Sequence, residues 1–287
     1  GNRTGSLQSN PLIIGRTLYT LTPLLKVIAL DAATGNLIWK FDSGVNAGQP
    51  SRGLTYWTDG KESRLFAGIM NYLYALDPAT GKPIESFGDG GRIDLRKGLR
   101  GDYRLQSVAL TSPGVIYKDL IIVGGRDPEA KPAPPGDIRA FDVHTGELRW
   151  TFHTIPHPGE LGYDTWPKDA WKTAGAANNW PGMAVDVKRG IVYVPTGSAV
   201  SDFYGADRVG DDLFANSLLA LNAETGKLIV PVAHNAGRYW PRRGLRKKPG
   251  TIRVVIGEPV AVAGGDIREV NRRIQEWVEA TVAALQA

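Results

Sequence analysis

"ALDAATGNLIW" (Ala29–Trp39), "ALDPATGKPIE" (Ala75–Glu85), "AFDVHTGELRW" (Ala140–Trp150) and "ALNAETGKLIV" (Ala220–Val230) are versions of one phrase. Each is an alternating strand, a polar turn closed by Thr-Gly, and the start of a second strand. The glycine supplies the positive φ that a tight hairpin needs. A degenerate copy, "AVDVKRGIVYV", begins at Ala184. Successive copies start 46, 65, 44 and 36 residues apart. Further β-like runs fall between them: "PLIIGRTLYTLT", "SRLFAGIM", "GVIYKDLIIVGG" and "GIVYVPTG". Each unit therefore holds about four short strands and a variable loop, the period of propeller blades. A sandwich also yields closely spaced short strands but does not repeat one turn signature. The expected fold is all-β, a partial propeller.

Trp39 and Trp150 close the first and third copies, where a large ring can wedge against the next blade with its indole N–H paired. Glu85 stands at that place in the second copy, which marks a degenerate blade. The fourth copy runs into Val230 and a proline, and the alternation stops. From Asp266, a residue suited to an N-cap, the apolar positions Ile267, Val270, Ile274, Trp277, Val278 and Leu285 follow helical spacing. A boundary is expected near Ile229, between a propeller part, 1–229, and a basic strand-and-helix tail, 230–287.

The chain has 287 residues, 42% hydrophobic and 22% charged, with 35 glycines and 19 prolines: an ordinary globular composition, rich in turns. It has no cysteine, which excludes disulfides and thiolate metal sites. No apolar run reaches membrane-spanning length, and the first ten residues lack the apolar core of a signal peptide. The net charge of +5 arises entirely after Ile229, where ten basic residues face five acidic ones. "RRGLRKK" (Arg242–Lys248) is the densest cluster, a solvated face or a contact for an anionic membrane surface. No nucleic-acid partner is expected.

The repeated A-x-D-x-x-T-G-x-x-x-W, together with "SRGLTYW", "TSPGVIYKDLIIVGG", "PAPPGDIRAFD" and "DAWKTAGAANNWPGMAVD" in that order, resembles the pyrroloquinoline quinone (PQQ) dehydrogenases. The likeness runs from about Gly5 to Ile229 and is greatest to the glucose dehydrogenase branch of these eight-bladed propellers. It implies about five of the eight blades, the first incomplete, and a cofactor cage about half built. In that family a flat quinone lies on the propeller axis, stacked on aromatic rings, clamped by charged groups and bridged to a divalent cation, usually calcium.

On this resemblance Trp180 in "NNWPG" is the floor under the quinone, and Arg52 in "SRGLTYW" pairs with a cofactor carboxylate. Gln8, Thr111 and Asn178 are further polar cofactor contacts. Glu129 in "GGRDPEAKPAPPG" is the metal carboxylate, and Ser198 stands where relatives place an asparagine metal ligand. Taken on their own, the same residues are a core tryptophan, a surface arginine, loop polar groups and an exposed glutamate. The adjacent cysteine pair of alcohol-specific members is absent, as in the sugar-oxidising branch.

The family's catalytic aspartate, in a His-Asp-x-Trp-Asp segment, would follow the fourth copy, and no match is present, so no catalytic residue is assigned. The tail from Val230 instead looks like the C-terminal end of bacterial lysophosphatidic acid acyltransferases, without that enzyme's His/Asp pair. The join implies a chimeric chain. The expected function is thus a quinoprotein dehydrogenase fragment that does not turn over, from a family that oxidises sugar or alcohol hydroxyls, passes electrons to a quinone or cytochrome, and is exported to the periplasm. The alternative is a cofactor-free propeller scaffold for protein interaction.

Overall fold

The computed structural model describes residues 8–202, 204–206, 208–228, 232–234, 249–257 and 267–286. Three consecutive four-stranded antiparallel meanders come first. They are β1 (Leu12–Ile14), β2 (Thr17–Leu21), β3 (Val27–Asp31) and β4 (Leu37–Phe41); then β5 (Thr55–Thr58), β6 (Ser63–Ile69), β7 (Tyr72–Leu76) and β8 (Arg92–Asp94); then β9 (Val115–Tyr117), β10 (Leu120–Val123), β11 (Ile138–Asp142) and β12 (Leu148–Phe152). A fourth sheet contains β13 (Ala184–Asp186), β14 (Ile191–Pro195) and β15 (Leu218–Asn222). The described residues also hold a two-stranded ribbon, β16 (Val232–His234) and β17 (Val254–Ile256), and one α-helix, α1 (Ile267–Gln286).

The sheets stack as blades. Strand β5 touches β9 and β9 touches β13, while Asn10, just before β1, bridges in parallel to Gly53. The first strand of each sheet is therefore the one nearest a common centre. Period-2 alternation sends neighbouring side chains of one strand into different interfaces. In β6, Leu65, Ala67 and Ile69 join Leu21, Val27 and Ala29 of the first sheet, whereas Phe66 joins Ile121, Val123 and Phe141 of the third. In β10, Ile122 turns the other way and meets Val192, Val194, Leu219 and Leu221 of the fourth. Burial on both faces is why these inner strands read as continuous apolar runs.

The repeated phrase is the turn between third and fourth strands. Asp31, Asp142 and Asn222 each accept two backbone N–H bonds within their own turn, and the glycines that follow have φ of 74°, 75° and 71°. The tryptophans dock as the pattern predicts. Trp39 donates its indole N–H to Pro78 O at 2.9 Å, and any side chain on Gly81 would overlap its ring. Trp150 donates to Ala223 O at 3.2 Å, and a Cβ on Gly226 would come within 2.5 Å of the ring. Glu85 makes no such contact; Ile93 and Phe87 cover Gly146 instead, at 2.8 and 3.3 Å from a Cβ built there.

Two expectations change. The Ala184 copy is not a fifth repeat: it joins the first and second strands of the fourth sheet, where Asp186 caps the turn through the Arg189 N–H. A short Asp-x-x-x-Gly hairpin suits either place. The incomplete blade is also not the first, since three residues, Leu12–Ile14, suffice to pair with β2. Among the described residues the fourth sheet is the short one, with a single Leu221–Leu228 bridge where a fourth strand would begin.

In α1 the half-buried Ile274, Trp277, Val278 and Leu285 share one side while Arg272, Arg273, Glu276 and Glu279 are exposed, as the spacing predicts. The helix lies against β16, which also touches β15. Asp266 and Arg242–Lys248 lie outside the described residues. Among those described, no helix is long and apolar enough to cross a membrane.

Candidate functional site

Gln8, Arg52, Thr111 and Trp180 hold equivalent positions, three or four residues before the first strands β1, β5, β9 and β13. In an antiparallel meander the segment entering the first strand and the loop leaving the second lie at the same end of the sheet. Glu129 follows β10 and Ser198 follows β14, so topology brings these six of the seven candidates to one end of the blades, with Asn178 two residues before Trp180.

The closest grouping is at Trp180. The Arg52 guanidinium carbon lies 5.3 Å from the centre of its ring, a cation–π distance. Arg52 Nη1 also reaches Trp180 O at 3.5 Å, and Ser112 Oγ donates to the same oxygen at 2.6 Å. The Arg52 N–H donates to Thr111 O at 2.9 Å. Trp180 is 47% exposed, against 8% for the docking Trp150, so its ring is an open platform and not a core residue. Gly197 lines this edge, 3.4 Å from Trp180 Nε1 at a Cβ built there, an ordinary contact distance.

Asn178 and Asn179 hold the platform in place. Asn178 Nδ2 donates to Gly125 O at 2.7 Å, and Asn179 Nδ2 bridges Gly182 O at 2.8 Å and Pro195 O at 2.6 Å. Asn178 is buried, so its amide ties the Trp180 segment to the end of β10. Thr111 is buried as well, and its hydroxyl has no protein partner. Gln8 is exposed, ahead of Asn10, whose N–H donates to Arg52 O at 3.0 Å.

Glu129 and Ser198 meet through a residue the sequence did not single out. Ser198 Oγ donates to Asp202 Oδ1 at 3.1 Å, and the Asp202 N–H donates to Glu129 O at 3.1 Å. The Glu129 carboxylate itself is exposed and lies 3.6 Å from Arg126 Nη2. An oxygen set of two carboxylates and a hydroxyl suits a hard cation, but Arg126 already competes for the glutamate. The flat quinone fits what is present: an open indole, a cation over it and a buried hydroxyl without a partner. The calcium set is not assembled.

Behind this site lies a buried charge group that sequence reasoning missed. Asp127 and Arg139 are buried, with Asp137 partly buried beside them, around a space of about 10 Å³, the size of one water, walled by Gly124, Gly125 and Gly136. Burial, and then the neighbouring Asp137 charge, push the Asp127 carboxyl well above the usual range. Burial likewise raises Asp137 and lowers Arg139. Asp127 Oδ2 and Asp137 Oδ1 have no partner among protein atoms. The only signal in the sequence is acids embedded in "GGRDPEAKPAPPGD", which reads as a solvated loop.

Residues 1–229 match the family model of the PQQ-type glucose/ethanol/alcohol dehydrogenase β-propeller domain. The chain belongs to this family. It is 30% identical over 250 residues to quinoprotein glucose dehydrogenase A of Acinetobacter calcoaceticus, covering 77% of this chain and 31% of that protein. It is 32% identical over 247 residues to the dehydrogenase subunit of a quinone-type alcohol dehydrogenase from Gluconobacter oxydans (strain 621H), covering 77% and 31%. Among solved structures, the quinohemoprotein alcohol dehydrogenase of Comamonas testosteroni superposes with a TM-score of 0.66 at 25% identity, over 78% of this chain and 34% of that one. These identities do not divide the sugar and alcohol branches of the family. The chain spans about a third of the length of these relatives.

Proposed function

We propose that residues 8–228 form the part of a quinoprotein dehydrogenase that binds one face and one edge of pyrroloquinoline quinone, and that the chain as it stands does not turn over. The observation that carries this is the half-open Trp180 ring with Arg52 5.3 Å from its centre. Trp180 stacks on the conjugated face, Arg52 pairs with a carboxylate at its rim, and the Thr111 hydroxyl donates a hydrogen bond. When bound, the quinone supplies a two-electron oxidising equivalent for a sugar or alcohol hydroxyl. The residues that would take the hydroxyl proton are not found after the fourth repeat, which is why turnover is not expected.

Calcium joins the site only if Glu129 leaves Arg126 and turns with Asp202 and Ser198 toward the ion. A glucose-type substrate, a quinone or cytochrome acceptor and export to the periplasm belong to the same proposal, as does an acyltransferase origin for the tail, with Arg242–Lys248 meeting an anionic membrane surface. The meeting of Arg52 and Trp180 supports this over a cofactor-free scaffold, which has no need to place a cation over an open indole.

Equilibrium titration with the quinone, with and without calcium, tests the proposal through tryptophan fluorescence. Saturable quenching that weakens at least about tenfold in both Arg52→Ala and Trp180→Ala is the expected result. Absence of saturable quenching, or quenching that neither substitution changes, rejects it.

A further inference from the structure

A second cluster of ligating side chains lies on the segment that crosses from the last strand of the third sheet, β12, to the first strand of the fourth, β13. In "FHTIPHPGELG" the side chains of His153, His157 and Glu160 each place one ligating atom within 4.8 Å of the others. Among the described residues this is the one group of three or more His, Asp or Glu side chains so arranged. It begins one residue after β12 ends, at the outer rim of the blades, whereas the Trp180 platform lies at their centre.

The three side chains are already gathered on one short loop. Glu160 receives His153 Nδ1 at 2.9 and 3.1 Å and accepts the His157 backbone N–H at 2.7 Å, which draws the segment into a closed loop. The His157 ring stacks on His153 with centres 3.9 Å apart and planes 16° apart, and its far side meets Trp171 at 4.8 Å. Both imidazoles are half-buried while Glu160 opens to solvent, which leaves a path of entry. Asp137, just before β11, lies near His153 as a further polar neighbour.

We propose that His153, His157 and Glu160 form a binding site for a divalent transition-metal ion of the zinc class, separate from the quinone platform, that pins the crossing segment carrying Trp180. Two imidazoles and one carboxylate are a recurrent ligand set for such ions, with the fourth position left to water. Bonds of about 2.0–2.2 Å require the three atoms to close to roughly 3.3 Å. Rotation of His157 out of its parallel stack would achieve this, and there is open space beside the loop at Gly159, with φ 88° and no atom within 4 Å of a built Cβ. The proton shared between His153 and Glu160 leaves as the ion binds. Nothing here depends on the quinone: the segment is fixed at its rim end by the ion and at its centre by Asn178 and Asn179.

The test uses the full chain, dialysed against a chelator and then titrated with zinc chloride by calorimetry, with cobalt(II) as a spectroscopic probe. One equivalent of zinc, a raised thermal midpoint, and the visible absorption of four-coordinate cobalt are the expected results. Affinity falls at least about tenfold in His153→Ala, His157→Gln and Glu160→Gln. His144→Ala serves as the control and leaves binding unchanged, although His144 also lies near acids, 3.4 Å from Glu62 and 4.0 Å from Asp119. Circular dichroism of each variant separates lost binding from lost fold, and the milder His157→Gln keeps the ring site filled. No saturable zinc binding by the wild-type chain, or binding that survives undiminished in folded His153→Ala and Glu160→Gln, overturns the proposal.

Discussion

Trp150 and Trp180 are the same residue in opposite circumstances. Trp150 is 8% exposed, lies flat over Gly226 of the next blade and donates its N–H to Ala223 O. Trp180 is 47% exposed, faces the common centre and has Arg52 over its ring. The first contributes burial between repeats, the second an unfilled surface that a stable fold alone would not leave open. A propeller therefore separates its duties by position: turns between third and fourth strands hold blades together, and segments entering first strands present chemistry.

The largest effect should come from breaking the covered one. Trp150→Ala removes a buried ring and its hydrogen bond, and large-to-small changes of this kind cost about 3–5 kcal/mol. Trp39→Ala should cost less, because that ring is only partly buried over Gly81. Urea denaturation of the two variants measures the order directly. Equal losses would mean that blade docking does not depend on how far each ring is covered.

These docking contacts were legible because they are local and repeated. The phrase A-x-D-x-x-T-G-x-x-x-W names the turn, its glycine and the ring that covers the next glycine. The second blade shows what the pattern hides: Gly146 needs a cover, and Phe87 and Ile93 supply it without a tryptophan. The Ala184 copy failed for a related reason, since a hairpin signature says nothing about which pair of strands it joins. At the centre, Arg52, Thr111 and Trp180 came from resemblance, and their shared place before first strands appeared only once strands were assigned. Ser112, Asp202 and the Asp127–Asp137 pair gave no signal, because their partners lie from 68 residues away, for Ser112 and Trp180, down to 4, for Asp202 and Ser198, with no periodicity to relate them.

Removing the open ring should do the reverse of removing the covered one. Trp180→Ala is expected to change stability by no more than about 1 kcal/mol, since half of the side chain already faces solvent. Quinone affinity is expected to fall at least about tenfold, or about 1.4 kcal/mol. Urea curves and quinone titrations on the same protein give the two numbers together. A stability loss equal to that of Trp150→Ala would make Trp180 a structural residue and remove the contrast.

The smallest effect concerns what lies behind the platform, where Asp127 is buried with Arg139 beside the partly buried Asp137. Burial, then the Asp137 charge, raise the Asp127 carboxyl well above its unfolded value near 4. Between those two values the folded chain keeps a proton that the unfolded chain releases, so stability from this group is present at low pH and is lost as pH rises through the window. Asparagine keeps the shape and cannot ionise. Asp127→Asn should therefore gain stability relative to wild type as pH increases from about 4.5 to about 7.5, with Asp137 keeping part of the slope. Urea unfolding at the two pH values reads the change in the difference. The opposite slope would mean that Arg139 and Arg100 hold Asp127 ionised inside the blade, and that the carboxylate, not the acid, stands behind Trp180.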